Sequence, residues 1–267
     1  MNFTLTTMGT ASAMPISDRN PSAQMLAVHG RLFLIDCGEG AQQQMRRSHL
    51  SFVKVEAIFI SHLHGDHLFG LFGLLNSMAM YGRTGVLKIY GPAALGNILK
   101  FYSNYFGTED GFEIDFHAIK CSAPELIHTS KHVTVSAFPL KHKIECYGFR
   151  FDEVVTERHR QENPDYVANS YAYCSDTMPF AELPEWVRGV RTLYHEATYN
   201  KEMADKAEKR FHSTTEDAAR CALAAGADRL LVGHYSSRIN NFPAFLEECR
   251  EIFPNTELTQ DLASLVL

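Results

Sequence analysis

The segment Ile60–Gly70, ISHLHGDHLFG, packs three histidines and an aspartate into the six positions from His62 to His67. Before it runs AIFIS (57–61), an apolar stretch that reads as a buried strand. After it runs LFGLFGLLNSMAMY (68–81), which reads as an apolar helix. In extended backbone alternate side chains share a face, so His62 and His64 project the same way. Asp66 and His67 follow as the chain turns into the helix, and they can point at a second centre. Imidazole plus carboxylate is a ligand set for zinc, and also for manganese or iron. Two ions about 3.5–4 Å apart would form a two-metal hydrolytic site. A solvated, histidine-rich turn is the plainer alternative, and the flanking strand and helix argue against it.

The rest of the chain alternates between strand runs and helices. FTLTTMG (3–9), QMLAV (24–28) and RLFLID (31–36) read as strands, with His29-Gly30 as a tight hairpin turn. EGAQQQMRRS (39–48) reads as a helix. LKIYGP reads as a strand before the helix AALGNILKFYSNYF. Strands resume with VTVSAFPL (133–140), CYGFRF (146–151), YAYCSD and RTLYHEA. KEMADKAEKR and TTEDAARCALAAGA read as helices, RLLVGH as a strand and AFLEECREIF as a last helix. Two strand-rich halves, each followed by helices, predict an α/β fold in which two sheets pack together with helices outside. No internal repeat or low-complexity tract interrupts residues 1–267, which read as a single domain.

Composition bounds the function. The net charge of −6 argues against purely electrostatic binding to nucleic acid, while leaving room for a local basic patch or a metal site. The six cysteines, Cys37, Cys121, Cys146, Cys174, Cys221 and Cys249, form no CxxC pair and read as buried thiols in a reducing compartment. The N-terminus carries no basic-then-apolar leader pattern, and no stretch is long and apolar enough to span a bilayer. A cytoplasmic protein without membrane contact is the expectation.

HxHxDH is the signature of the metallo-β-lactamase superfamily, and the chain resembles its ribonuclease Z (tRNase Z) branch. The resemblance rests on eight segments in the family's order: MGTASAMPISDRNPSA, LFLIDCGEGAQQQMRR, FISHLHGDHLFGLFGLL, PLKHKIECYGFRF, YAYCSDT, HEATY, HSTTEDAA and VGHYSSR. It implies the four-layer αβ/βα sandwich of that superfamily and two Zn²⁺ per chain. By the resemblance, His62, His64 and His142 would hold one ion, and Asp66, His67 and His234 the other. Asp176 would bridge them, and Asp36 would orient a ligand histidine from outside the coordination sphere. Each of these positions follows a predicted strand, which would gather them at one edge of the sheets.

The resemblance also implies hydrolysis of a phosphodiester by hydroxide generated between two cations, with Asp66 helping to orient it. Glu196 and His212 would serve the leaving group, since a carboxylate beside an imidazole keeps it protonated nearer neutrality. His212 stands just before a helix whose start, Ser213 to Glu216, fits a capping box. His212, Ser213 and Thr214 are therefore candidate phosphate contacts. Lys206, Lys209 and Arg210 add positive charge nearby, and Ser236, Ser237 and Arg238 could touch substrate. The implied substrate is a tRNA precursor cut to release its 3′ trailer, and the implied assembly is a homodimer.

Three features depart from the family pattern. The arm that grips tRNA in this family would fall between Phe151 and Tyr171, where only nineteen residues stand. The family's PxKxR element reads Pro15-Ile16-Ser17-Asp18-Arg19, with serine replacing lysine. The overall charge is acidic. These features leave the ligands intact and keep a second substrate open, a small or short nucleic-acid phosphodiester. A non-catalytic RNA-binding or metal-sensing protein is opposed by the complete ligand set. Thioester or lactam hydrolysis is opposed by HEATY and HSTTEDAA.

Overall fold

The structure is a computed structural model that describes residues 3–14, 16–107 and 111–267. Pro15 of the N-terminal element lies outside the described residues. Two seven-stranded sheets face one another. The first contains β1 (Phe3–Gly9), β2 (Ala23–Val28), β3 (Arg31–Ile35), β4 (Val55–Phe59), β5 (Leu87–Pro92) and β6 (Ile114–Ile119). The second contains β7 (Glu125–Thr129), β8 (Val133–Pro139), β9 (Tyr147–Glu153), β10 (Ser170–Cys174), β11 (Thr192–Glu196), β12 (Arg229–Gly233) and β13 (Thr256–Leu258). β14 (Ser264–Val266) returns to the first sheet and pairs antiparallel with β1, tying the end of the chain to its beginning.

Both sheets repeat one plan. β1 to β3 form an antiparallel meander, and β3 to β6 run parallel. β7 to β10 form the second meander, and β10 to β13 run parallel. Parallel neighbours need crossovers, and helices supply most of them. The first half carries α1 (Ala41–Arg47), α2 (Gly65–Leu68), α3 (Leu71–Met80) and α4 (Leu95–Phe106). The second carries α5 (Glu157–Glu162), α6 (Leu183–Trp186), α7 (Ala204–Arg210), α8 (Thr215–Ala225) and α9 (Phe242–Arg250).

Strand alternation builds the layers. In β3, Phe33 and Ile35 point between the sheets, into a core with Phe59, Phe149, Phe151, Tyr171 and Tyr173. Leu32 and Leu34 point the other way, into a core shared with Met45, Leu74 and Met78. On the second sheet, Leu230 and Val232 face α8 and α9 through Ala218, Ala222 and Phe245. The result is helix, sheet, sheet, helix, the four-layer αβ/βα sandwich expected.

His29 and Gly30 both adopt positive φ, 47° and 82°, as a two-residue hairpin turn between β2 and β3 requires. Two differences from expectation stand out. The helix read over 68–81 begins at Gly65 and is broken between Leu68 and Leu71. Four strands, β6, β7, β13 and β14, were not anticipated. In agreement with its nineteen residues, the connection between β9 and β10 holds only the six-residue, wholly unburied α5.

Candidate metal centre

Parallel strands bring their carboxyl ends to one edge, where open α/β sheets hold their ligands. His62 and His64 leave the end of β4, Asp176 leaves β10, Glu196 ends β11 and His234 follows β12. His142 sits in the hairpin loop after β8, which runs in the same direction as β10. Asp36 and His234 have φ of +55° and +62° at the ends of β3 and β12. A non-glycine residue in this region carries strain, which clusters at functional sites.

The side chains converge into two donor sets, His62, His64, His142 and Asp176 in one and Asp66, His67 and His234 in the other, and Asp176 also forms a third group with His212 and His234. In the first, His64 Nδ1 lies 3.1 Å from His62 Nε2 and 3.2 Å from His142 Nε2. Asp176 Oδ2 lies 3.6 and 3.7 Å from the nitrogens of His62 and His142. In the second, His67 Nε2 lies 3.3 Å from His234 Nε2, and Asp66 Oδ2 lies 3.4 and 3.3 Å from those two nitrogens. Asp176 Oδ1 is 3.4 Å from His67 and 3.2 Å from His234. Four ligands at about 2.0–2.1 Å from a tetrahedral zinc stand about 3.3–3.4 Å apart, so both spacings fit such an ion.

Hydrogen bonding alone does not account for this packing. His67 Nδ1–H donates to Asp36 Oδ2 at 2.7 Å, and His142 Nδ1–H donates to the Phe211 carbonyl at 2.9 Å. In its neutral, metal-binding form each ring turns a bare Nε2 lone pair inward, and for His67 it is the surrounding carboxylates of Asp176, Asp66 and Asp36 that overcome burial and raise its pKa well above the ordinary value. Asp176 Oδ1 is buried with no hydrogen-bond partner. Asp36, Asp176 and Glu196 are each at most 2 % exposed, a concentration of buried negative charge that divalent cations would offset. Burial disfavours the charged form of Asp66, but the His67 and His234 rings hold its carboxyl far below the usual range. Asp176 behaves likewise, with burial opposed by His234, His67 and His212. These residues fit a pair of metal ions.

Asp36 is enclosed and accepts from four groups: Ser61 N and Oγ, His67 Nδ1 and the Tyr173 hydroxyl. Beside the donor sets, Glu196 Oε1 lies 2.9 Å from His212 Nδ1. The same oxygen accepts from the backbone N–H of Thr177 and of Ser213. Burial works against a charged His212, but the carboxylates of Glu196 and Asp176 raise its pKa to about 9.

Ser213 and Thr214 do not face the cleft. Ser213 Oγ donates to the Thr177 carbonyl, and Thr214 forms a reciprocal capping box with Asp217. The box lies one residue beyond the Ser213–Glu216 expectation, because Thr214 is the residue with extended backbone before α8. These hydroxyls are committed to folding the turn that presents His212. The cleft of about 550 Å³ is lined by His64, Asp66, His142, Asp176, His212 and His234. Ser236, Ser237 and Arg238 line it, as do Lys206 and Arg210; Lys209 does not, and Lys143 does.

Sequence reasoning missed the hydroxyls around the ligands. Ser61 Oγ lies 2.9 Å from His62 Nδ1 and donates to Asp36 Oδ2. Thr198 Oγ1 lies 2.7 Å from Glu196 Oε2, 2.8 Å from His234 Nδ1 and 3.2 Å from His212 Nδ1. The available signal was their place inside the recognised segments, FISHLHGDH and HEATY.

The sandwich with its candidate metal ligands at one strand edge defines the class, a metallo-β-lactamase-fold protein, and the profile of the beta-lactamase superfamily domain matches residues 31–235. A ribonuclease Z of Porphyromonas gingivalis W83 is 36% identical over 290 residues, covering 95% of each chain. One from Bacteroides fragilis YCH46 is 36% identical over 295, covering 97% of each. The crystal structure of human tRNase Z, short form, superposes with a TM-score of 0.82 at 28% identity over 98% of each chain. The chain belongs to the ribonuclease Z family, a family of metal-dependent hydrolases. The alignment of 290 positions exceeds the 267 residues of this chain, so the P. gingivalis relative has residues with no counterpart here.

Proposed function

We propose that this chain is a zinc-dependent endoribonuclease that removes the 3′ trailer of tRNA precursors, leaving a 3′-hydroxyl on the tRNA and a 5′-phosphate on the trailer. One observation carries the reading: two donor sets stand side by side with Asp176 against both, and the Glu196–His212 pair is held beside them. The names of the relatives, ribonuclease Z and tRNase Z, supply the substrate class. His62, His64, His142 and Asp176 would hold one zinc, and Asp66, His67, His234 and Asp176 the other. Two divalent cations there supply an acidified water and offset the charge of a phosphodiester.

The protein residues do the remaining work. Asp66 faces the cleft and orients the attacking water. His212, its Nδ1–H given to Glu196, protonates the departing 3′ oxygen from its other nitrogen, help typically worth about 10²–10⁴-fold. Lys143, Lys206, Arg210 and Arg238 rim the cleft. The ion pairs of lysine and arginine among the described residues involve none of the four, which leaves them for an anionic substrate. Lys206 is held below its ordinary pKa by desolvation and by Arg238 and Arg210, the repulsion expected where cations converge.

We also read the chain as a cytoplasmic homodimer. All six cysteines are free, in keeping with a reducing compartment. Phe101, Tyr105 and Phe106 on α4 and Met80 at the end of α3 are more than half exposed, an apolar face suited to a second copy. Among the described residues no helix is long and apolar enough to cross a membrane.

The short β9–β10 connection favours one second reading, a phosphodiesterase acting on small or short nucleic-acid substrates. The deciding experiment is cleavage of a labelled tRNA precursor by zinc- or manganese-loaded protein, mapped to the nucleotide, with His64→Ala as control. A cut just after the discriminator base, lost in the variant, is the expected result. No cut, together with metal-dependent hydrolysis of bis(p-nitrophenyl) phosphate, would replace the tRNA reading with the second one.

A further inference from the structure

Each ligand histidine that turns Nε2 inward has a partner at Nδ1. His67 has the Asp36 carboxylate, His142 the Phe211 carbonyl, His62 the Ser61 hydroxyl and His234 the Thr198 hydroxyl. A carboxylate or a carbonyl can only accept, so it fixes the proton on Nδ1 without help. A hydroxyl both donates and accepts, so it fixes a tautomer only if its own proton is committed elsewhere.

That commitment is present in both cases. Ser61 Oγ donates to Asp36 Oδ2 at 2.9 Å. Thr198 Oγ1 donates to Glu196 Oε2 at 2.7 Å, and Glu196 is fully buried and accepts on both oxygens. Having spent its one proton on Glu196, Thr198 can only accept from His234, at 2.8 Å. His234 then carries a proton on Nδ1, and the nitrogen a neutral ring leaves bare for a metal is the Nε2 turned to Asp66 and Asp176. Thr198 is 2 % exposed, so its hydroxyl is turned to these protein partners. It also differs from Ser61 in what it reaches, because Glu196 grips His212 through its other oxygen.

We propose that Thr198 is a positioning residue: its hydroxyl fixes the metal-facing tautomer of His234 and ties that ligand to the carboxylate that holds His212. One carboxylate thereby sets both the second donor set and the leaving-group histidine. The proposal rests on the reading of His234 as a metal ligand.

Its test needs no RNA. Equilibrium dialysis against buffered free Zn²⁺, with bound metal counted by mass spectrometry, is run on the full chain and on Thr198→Val and Thr198→Ser. The valine keeps the branched shape and removes the hydroxyl; the serine restores the hydroxyl on a smaller side chain. Wild type is expected to take two ions. Thr198→Val is expected to keep the first unchanged and to need about 10–100-fold more free zinc for the second, the usual cost of losing a partner behind a ligand histidine. Thr198→Ser is expected to return close to wild type. A valine variant with the wild-type curve, one that loses both ions equally, or a serine variant no better than valine would overturn the proposal while leaving the metal centre standing. Wild-type protein that binds no zinc would overturn the metal centre and the proposal together.

Discussion

Asp36 shows how one buried side chain sets several others. Its carboxylate holds His67 directly and His62 through Ser61, so it reaches one histidine in each donor set. Replacing it with asparagine keeps the shape but puts an amide nitrogen where donors already point. Asp36→Asn is expected to weaken zinc binding by about 10–100-fold, measured by chelator competition. Unchanged affinity would contradict this account of the residue. At this scale the sequence was most readable where ligands lie close together, as in His62–His67, since a strand-to-helix turn fixes their geometry locally. Tyr173 and Thr198 were not readable as partners. Tyr173 meets Asp36 across 137 positions, and Thr198 meets His234 across 36; a hydroxyl carries no local sign of which distant ring it will face.

Elements enter the site through their junctions. The interruption between α2 and α3 falls at Gly70, whose N–H donates to the Cys37 carbonyl. A Cβ there would strike the Gly38 carbonyl, in the turn that follows Asp36. The apolar run Leu68–Tyr81 gave no sign of this contact, because its periodicity reports only which face is buried. Gly70→Ala is expected to destabilise the protein by about 1–3 kcal/mol, seen as a lower Tm, since backbone cannot yield as a flexible side chain does. A Tm unchanged from wild type would refute the close approach.

The β9–β10 connection is fastened by Glu153, whose Oε2 accepts from the Tyr166 hydroxyl and from Asn169 N and Nδ2, while Oε1 meets His29 Nε2. Burial raises the pKa of this carboxyl, but the Asn169 N–H, Tyr166 and His29 bring it below the ordinary 4.5. Its stabilisation is therefore full above pH 4.5 and lost as pH falls through the lowered folded value. Glu153→Gln is expected to flatten the acid side of a Tm-against-pH curve. A variant curve parallel to wild type would show that Glu153 contributes nothing there. β13 and β14 escaped detection because each has three residues, too few for alternation to register. β6 escaped because its residues are mostly half-buried or exposed on both faces.

At the scale of the molecule, the two-sheet sandwich follows from two halves of similar strand and helix order. The pairing of β14 with β1 does not, because it joins residues more than 250 positions apart. The apolar face on α3 and α4 belongs to this scale too. If a second copy covers it, Phe101→Asp combined with Tyr105→Ser should convert a dimer to a monomer in light scattering with the fold intact. A wild-type monomer, or a variant that stays dimeric, would assign the face differently.

The central claim is that His62, His64 and His142 on one side, and Asp66, His67 and His234 on the other, make two sites joined by Asp176. Anomalous diffraction at the zinc edge from zinc-loaded crystals tests it most directly. Two peaks about 3.5–4 Å apart, one within each donor set and both against Asp176, are the expected result. A single peak among Asp176, His212 and His234, the third group of donors close enough to share an ion, would contradict it and take His212 out of its role as proton donor.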